Sequence, residues 1–344
     1  MYKVAICGDV HWSTYSSIVR RRGKKYSQRL EKLIKSMNWF EKLSKDHGCT
    51  QEIFLGDTFD RSDLSAEELT ALQDIKWNKI PKHFIVGNHE SNINTLEYSS
   101  TKFFSALNAN IVNKPQKIKV LDDLDFYLIP YITTDKVIDI YKYIDKDTNR
   151  KVLFAHQEIA GLNYGKFISK TGFSIDDIMR ECEYFFDGHL HNEQIINDKL
   201  ILVGILSGQN FNEDADKFEH RVYILTIDDD GKLSIESFIN PEAINFYKLR
   251  IDTEDDLEKF DHLKNNSVLS ILCEEHLIKE VNKLIKSHKN IIESRLTTLY
   301  NYNYESSDSD NILVDDFVNQ FILLAKEKLA PSDILNTELA LLGR

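Results

Sequence analysis

The first apolar run, residues 2–7, predicts a strand, and it ends in a polar stretch. From residue 30 the spacing changes: Leu30, Leu33, Ile34, Met37, Phe40 and Leu43 recur at helical intervals, so a helix with one apolar face is expected there. Ile53, Phe54 and Leu55 form a second short strand that stops at Gly56. Ser65-Ala66-Glu67-Glu68 reads as a capping box, in which the serine and the glutamate each accept from the backbone of the other. Leu69, Leu72 and Ile75 line the buried side of the helix it starts, and a strand at 83–86 follows. Strands alternating with helices are expected to about residue 160. The rest of the first part is β-rich, with strands at 184–186, 200–203 and 222–227.

Pro241 marks a domain boundary, giving a first domain over 1–240. Residues 246–303 read strand, helix, strand, helix, strand, with apolar runs at 247–251, 268–272 and 291–300; a small second domain over 241–305 is expected. Ser306-Ser307-Asp308-Ser309-Asp310-Asn311 is an acidic, serine-rich linker. Beyond it Phe317, Phe321 and Leu324 share a helical face, and Pro331 separates them from a piece carrying Leu335, Leu339 and Leu342. Such stripes commonly pack on their own chain. Behind a flexible linker, Phe317, Phe321, Leu335 and Leu339 also suit docking to a partner.

With 344 residues, 42% of them hydrophobic, the chain exceeds one average domain and can bury a core. Its formal charge of −12 argues against a nucleic-acid binder, because phosphate contact is driven by Lys and Arg. The charge is uneven, however: residues 1–50 carry eleven Lys or Arg against four Asp or Glu, a balance of +7 against −19 for the remainder. Five basic residues, Arg20, Arg21, Arg22, Lys24 and Lys25, fall within six positions. A run of this kind is often a solvated loop, but here it directly follows a block of candidate ligands, which favours contact with a DNA backbone. The cysteines, at 7, 49, 182 and 273, are widely spaced and offer no Cys-x-x-Cys pair, so reduced, buried thiols are expected. Neither a leader pattern nor a run long enough to span a membrane is visible, and a cytoplasmic location is expected.

The chemistry lies where apolar runs stop. Asp9-Val10-His11, Gly56-Asp57-Thr58-Phe59-Asp60, Gly87-Asn88-His89-Glu90, Ala155-His156 and Gly188-His189-Leu190-His191 each place oxygen or imidazole groups at a strand terminus. Alone, a Gly-Asp is ordinarily a turn and a single histidine a core or surface residue. Here five of the eleven histidines fall in such blocks, which coincidence does not explain. Asp9 and His11, two apart in an extended segment, are expected to point to the same side. Asp57 is the natural group to bridge two divalent cations about 3.5–4 Å apart.

In order and composition these blocks resemble those of the calcineurin-like metallophosphoesterases: Asp-x-His, Gly-Asp-x-x-Asp, Gly-Asn-His-Glu/Asp, a lone His and Gly-His-x-His. The likeness covers roughly residues 1–240. The Gly-Asp-x-Phe-Asp-Arg form of the second block, Leu128-Ile129-Pro130-Tyr131 and the chain length are most similar to the SbcD-type DNA nuclease subunits, particularly their bacteriophage form. The resemblance implies an α+β fold in which two mixed β-sheets pack as a sandwich flanked by helices, followed by a small α/β capping domain and C-terminal helices. It implies that Asp9, His11 and His191 hold one metal with Asp57, and that Asn88, His156 and His189 hold the other. Manganese is the expected ion. His89 is expected to face the scissile phosphate rather than a metal, and Asp60, where relatives carry Asp or His, to orient His89 or a ligand. The implied activity is duplex exonuclease and single-strand endonuclease hydrolysis in DNA recombination and repair. The implied partner is an SbcC-like coiled-coil ATPase in a two-plus-two complex, within the host cytoplasm if the chain is of phage origin. A phosphatase or small-molecule phosphodiesterase on the same fold, and a non-catalytic DNA-end scaffold, are the competing readings.

Overall fold

A computed structural model describes residues 1–14, 19, 21–92, 95–132, 144, 149–162 and 168–299. Strand β1 (Tyr2–Cys7) sends Val4 and Ile6 to one face and Ala5 and Cys7 to the other, and all four are buried because both faces are covered. It lies between β2 (Gln51–Phe54), in parallel, and the antiparallel strand Arg221–Ile227. With β3 (Lys82–Ile85), Asn110–Val112 and Leu233–Ile239 they make a six-stranded sheet. A second six-stranded sheet has the order Gln194–Ile196, Leu200–Leu202, Tyr184–Asp187, Arg150–Ala155, Leu124–Ile129, Gln116–Lys119, parallel at its centre with both edge strands antiparallel.

The sheets pack face to face through Val4, Ile6, Ile53, Leu55 and Ile85 of the first and Phe126, Leu128, Val152, Phe154 and Phe186 of the second. Helix α1 (Gln28–Asp46) covers the outer face of the first sheet, seating Leu30, Leu33, Met37 and Phe40 against Cys7, Phe54 and Phe84. Its N-cap, Ser27, accepts from Leu30 N at 3.2 Å. The capping box forms at α2 (Ala66–Leu72), with Glu68 N on Ser65 Oγ at 3.2 Å and Ser65 N on Glu68 Oε2 at 2.7 Å. The class is therefore mixed α+β, two mixed sheets with few helices, as expected.

Two details differ from the sequence reading. Between residues 87 and 130 no α-helix forms among the described residues: a small hairpin (Ser91–Asn92 with Thr95–Ser99) and a 3₁₀ helix (Ser100–Leu107) replace it. Ser99 caps that helix at Thr101 N, and Asn108, at φ 58°, turns the chain out of it after eight residues. The first helix after Pro241 is likewise 3₁₀ (Glu254–His262).

The parallel strands Asn245–Ile251, Ser267–Glu274 and Ile291–Leu299 form a third sheet. Its own core joins Leu249, Ile251, Leu269, Ile271, Phe260 and Val281, the last from the helix Ile278–Ser287. Met1–Leu299 make one compact unit. The 306–311 linker and the expected partner residues Phe317, Phe321, Leu335 and Leu339 lie outside the described residues. All four cysteines are free and buried. Among the described residues no helix is long and apolar enough to cross a membrane.

Candidate dinuclear metal centre

β1, β2, β3, Arg150–Ala155 and Tyr184–Asp187 run parallel within their sheets, so the loops after their C-terminal ends can converge on one edge of the sandwich. The five blocks occupy those loops. Asp9 is fully buried, and its Oδ1 accepts His189 N at 3.0 Å. Asp57 Oδ1 accepts His89 N at 2.9 Å, while its Oδ2 stands 3.2 Å from His156 Nε2 and 3.8 Å from His11 Nε2.

The backbone is forced at these points. His11, Asp57 and His189 have φ of 47°, 43° and 68°, a left-handed region that costs a side-chain-bearing residue energy and tends to mark functional sites. His11 thus departs from the extended backbone expected of Asp-x-His, while Asp9 and His11 still reach one cluster, as expected. A Cβ on Gly87 would collide with the Asp57 carboxylate, which is why glycine stands there.

Hydrogen bonds define which ring nitrogens face inward. His11 Nδ1 lies 3.0 Å from Asp60 Oδ1, and His191 Nδ1 lies 2.6 Å from Glu213 Oε1. An ionised carboxylate only accepts, so each Nδ1 donates and each Nε2 is left with a lone pair. Those two Nε2 atoms stand 3.0 Å apart, each 3.7 Å from Asp9 Oδ2, a buried oxygen with no hydrogen-bond partner. Facing lone pairs beside an unpartnered carboxylate oxygen fit a cation. On the other side, His156 Nδ1 meets the Leu55 carbonyl at 2.9 Å, turning Nε2 toward Asp57 and toward Asn88 Oδ1 at 2.9 Å. His189 Nδ1 reaches the same Asn88 oxygen at 3.2 Å. Asp9, His11 and His191 thus form one cluster with ligand spacing, and Asp57, His156 and His189 a second. The donor set of imidazole, carboxylate and amide oxygen suits borderline divalent cations and contains no thiolate.

His89 sits at the rim with 45% of its side chain exposed. Its Nδ1 lies 3.0 Å from the Asp60 carbonyl, its Nε2 lies 3.9 Å from Asp57 Oδ2, and its ring meets His11 edge-on. It also falls within ligand spacing of His11 and Asp57. Asp60 touches both residues in different ways: its side chain holds His11, and its main chain holds His89.

Residues 2–213 match the family model of the calcineurin-like phosphoesterases. The chain belongs to that family. A protein of Invertebrate iridescent virus 3 with a phosphoesterase name, 078R, is 25% identical over 151 residues, 42% of either chain. The match therefore spans less than half of that relative's length. Among solved structures, a dimetal phosphatase from Danio rerio is similar over 70% of this chain and 99% of its own at 12% identity, with a TM-score of 0.42. The protein TT1561 of Thermus thermophilus aligns over 68% of this chain and 98% of its own at 8% identity and a TM-score of 0.39.

In this phosphoesterase the buried carboxylates of the centre act on the histidines around them. Burial opposes charge on His11 and His156, yet the carboxylates of Asp60, Asp9 and Asp57 push the first up to about 10, and Asp57 and Asp9 do the same for the second. Burial and the charge of His156 together lower His189 to about 4. A divalent cation would displace the second proton from the His11 or His156 ring, because a ligand nitrogen must be unprotonated.

Several residues missed in the sequence complete the site. Fully buried Glu90 accepts Gly87 N at 2.8 Å and Phe59 N at 3.0 Å, tying two ligand loops together; burial and Asp57 raise its carboxyl to about 8. Glu213 backs His191, and Gln209 Nε2 donates to Asp60 Oδ1 at 2.8 Å. Glu90 stood inside a recognised block. Nothing in its spacing marked Glu213.

The basic run is mostly exposed but not free. Arg22 Nη1 donates to both Glu67 carboxylate oxygens, at 2.6 and 2.8 Å, Lys25 meets Asp74 at 2.7 Å, and Arg21 approaches Glu293 at 3.5 Å. Lys24 is exposed, and Arg20 lies outside the described residues.

Proposed function

We propose that this phosphoesterase is a DNA nuclease subunit with two divalent cations, manganese in the first instance, that acts with an SbcC-like coiled-coil ATPase on DNA ends. The observation that carries the hydrolytic reading is the convergence of Asp9, His11 and His191, and of Asn88, His156 and His189, on the shared Asp57 at an open sheet edge. When bound, such a cation pair polarises phosphate oxygens and lowers the pKa of water. His89 supplies the protein's own chemistry. Its Nδ1–H donates to the Asp60 carbonyl, which leaves Nε2, 3.9 Å from Asp57 Oδ2, beside the candidate centre, where the ring can meet a phosphate oxygen or the leaving group. The DNA reading is supported by the exposed run Arg21–Lys25 on the loop that follows the first ligand block. Exposed ion pairs such as Arg22–Glu67 contribute little and can be exchanged for phosphates.

The internal pairing of that run also favours a second reading, a phosphodiesterase or phosphatase for small molecules. The two are separated by comparing manganese-dependent cleavage of linear duplex DNA with hydrolysis of a small phosphodiester. Cleavage of DNA with low activity on the small ester is expected. Strong activity on the small ester alone would replace the DNA reading with the second.

A further inference from the structure

Residues 207–215 supply none of the expected ligands, yet they reach both histidines of one cluster. Glu213, 2% exposed, accepts from His191 Nδ1 through Oε1, and its Oε2 accepts the backbone N–H of Asn210 at 3.1 Å. Gln209 Nε2 donates to the same Asp60 oxygen that orients His11. Buried Arg29 binds the Gly208 carbonyl at 3.0 Å and the His11 carbonyl at 3.1 Å, joining this stretch to the first ligand loop.

The stretch is in turn fastened at one end to Ile244, the residue that leads into the third sheet, and at the other to the sheet itself. Gly208 N donates to Ile244 O at 3.0 Å, Ile244 N donates to Ser207 Oγ at 2.9 Å, and Ala215 N donates to Phe246 O at 2.8 Å. Between those ties Phe211 packs edge-on against Phe246 with centroids 5.1 Å apart, and the Arg295 guanidinium lies 5.1 Å from its ring. The opposite cluster has a different support: His156 is oriented by the Leu55 carbonyl at the end of β2.

We propose that Glu213 and Gln209 are positioning residues for the Asp9–His11–His191 site alone, so that the third sheet, through residues 207–215, sets the affinity of that one site. A carboxylate on the outer nitrogen of a ligand histidine fixes its tautomer and ring plane, and losing such a partner commonly lowers metal affinity about 10–100-fold. The inference rests on the dinuclear reading of the site and is independent of the substrate.

The test is a calorimetric manganese titration of the full chain, with electron paramagnetic resonance at one and two equivalents. Glu213→Gln is expected to split the isotherm: one site weakened about 10–100-fold, the other unchanged, and a single-ion spectrum where wild type shows a coupled pair. Phe211→Ala, which removes ring contacts with Phe246 and Arg295 but no side-chain hydrogen bond, should weaken the same site to a smaller degree. If Glu213→Gln does not fold, Gln209→Ala decides by the same criteria. A two-site wild type whose variants lose both sites equally, or neither, overturns this inference alone. A wild type that binds fewer than two ions overturns the dinuclear reading and this inference with it.

Discussion

His89 is the most exposed of the block histidines, and its contacts leave the two ligand clusters intact if it is removed. His89→Ala is therefore expected to keep two metal equivalents and to lose about 10²-fold or more in cleavage rate. Elemental analysis beside single-turnover kinetics checks this; loss of one equivalent would make His89 a ligand. The same residue shows how far a sequence reading goes. That His89 belongs to the site was legible from Gly87-Asn88-His89-Glu90. That its ring is held by the main chain of Asp60, while the Asp60 side chain holds His11, was not, because both contacts cross between loops 29 and 49 residues apart.

At the scale of elements, α1 meets β2 and β3 through a buried cluster in which Lys82 lies 2.7 Å from Glu52 and 3.2 Å from Glu41. Two carboxylates share one ammonium, and burial with the nearby Glu52 raises Glu41 to about 7. A carboxyl whose folded pKa exceeds its unfolded value contributes stability that is full below about 4.5 and is lost as pH rises through about 7. Glu41→Gln, which stays neutral, is accordingly expected to match wild type near pH 4.5 and to exceed it at pH 8, by up to about 3 kcal/mol. Urea denaturation across that range tests the sign; a difference independent of pH would remove Glu41 as its cause. The loop leading into α1 carries the basic run. Replacing Arg21, Arg22, Lys24 and Lys25 by Ser should weaken DNA binding and lower the log-log salt slope by at most about one unit per lost phosphate contact. Hydrolysis of a small phosphodiester should be nearly unchanged. An unaltered slope would mean that the pairs with Glu67 and Asp74 are the whole role of these residues.

At the scale of the molecule, Met1–Leu299 contain the candidate centre and all three large sheets. Residues 312–344 contribute none of the candidate ligands. Ending the chain after Asn311 is expected to preserve metal content and basal cleavage of single-stranded DNA, while abolishing co-purification with an SbcC-like ATPase and any ATP stimulation of duplex digestion. Truncating buried anchors such as those expected at Phe317 and Phe321 commonly costs on the order of 2 kcal/mol of binding. Unfolding or loss of metal on truncation would assign these residues to the core instead. The two mixed sheets followed only from the resemblance of the ligand blocks to a family; from local pattern the sequence determined the helix over residues 30–43, the capping box at Ser65 and the places of the candidate ligand blocks. Those features depend on neighbours within a few residues, and so they are written locally. Only the tertiary structure decided that His11, Asp57 and His189 take left-handed backbone, that Glu213 and Gln209 stand behind the ligands of one site, and that Glu67 and Asp74 neutralise much of the basic run. Each of these arises where segments distant in sequence are pressed together by the packing of two sheets, and no local pattern encodes the partner a side chain will meet there.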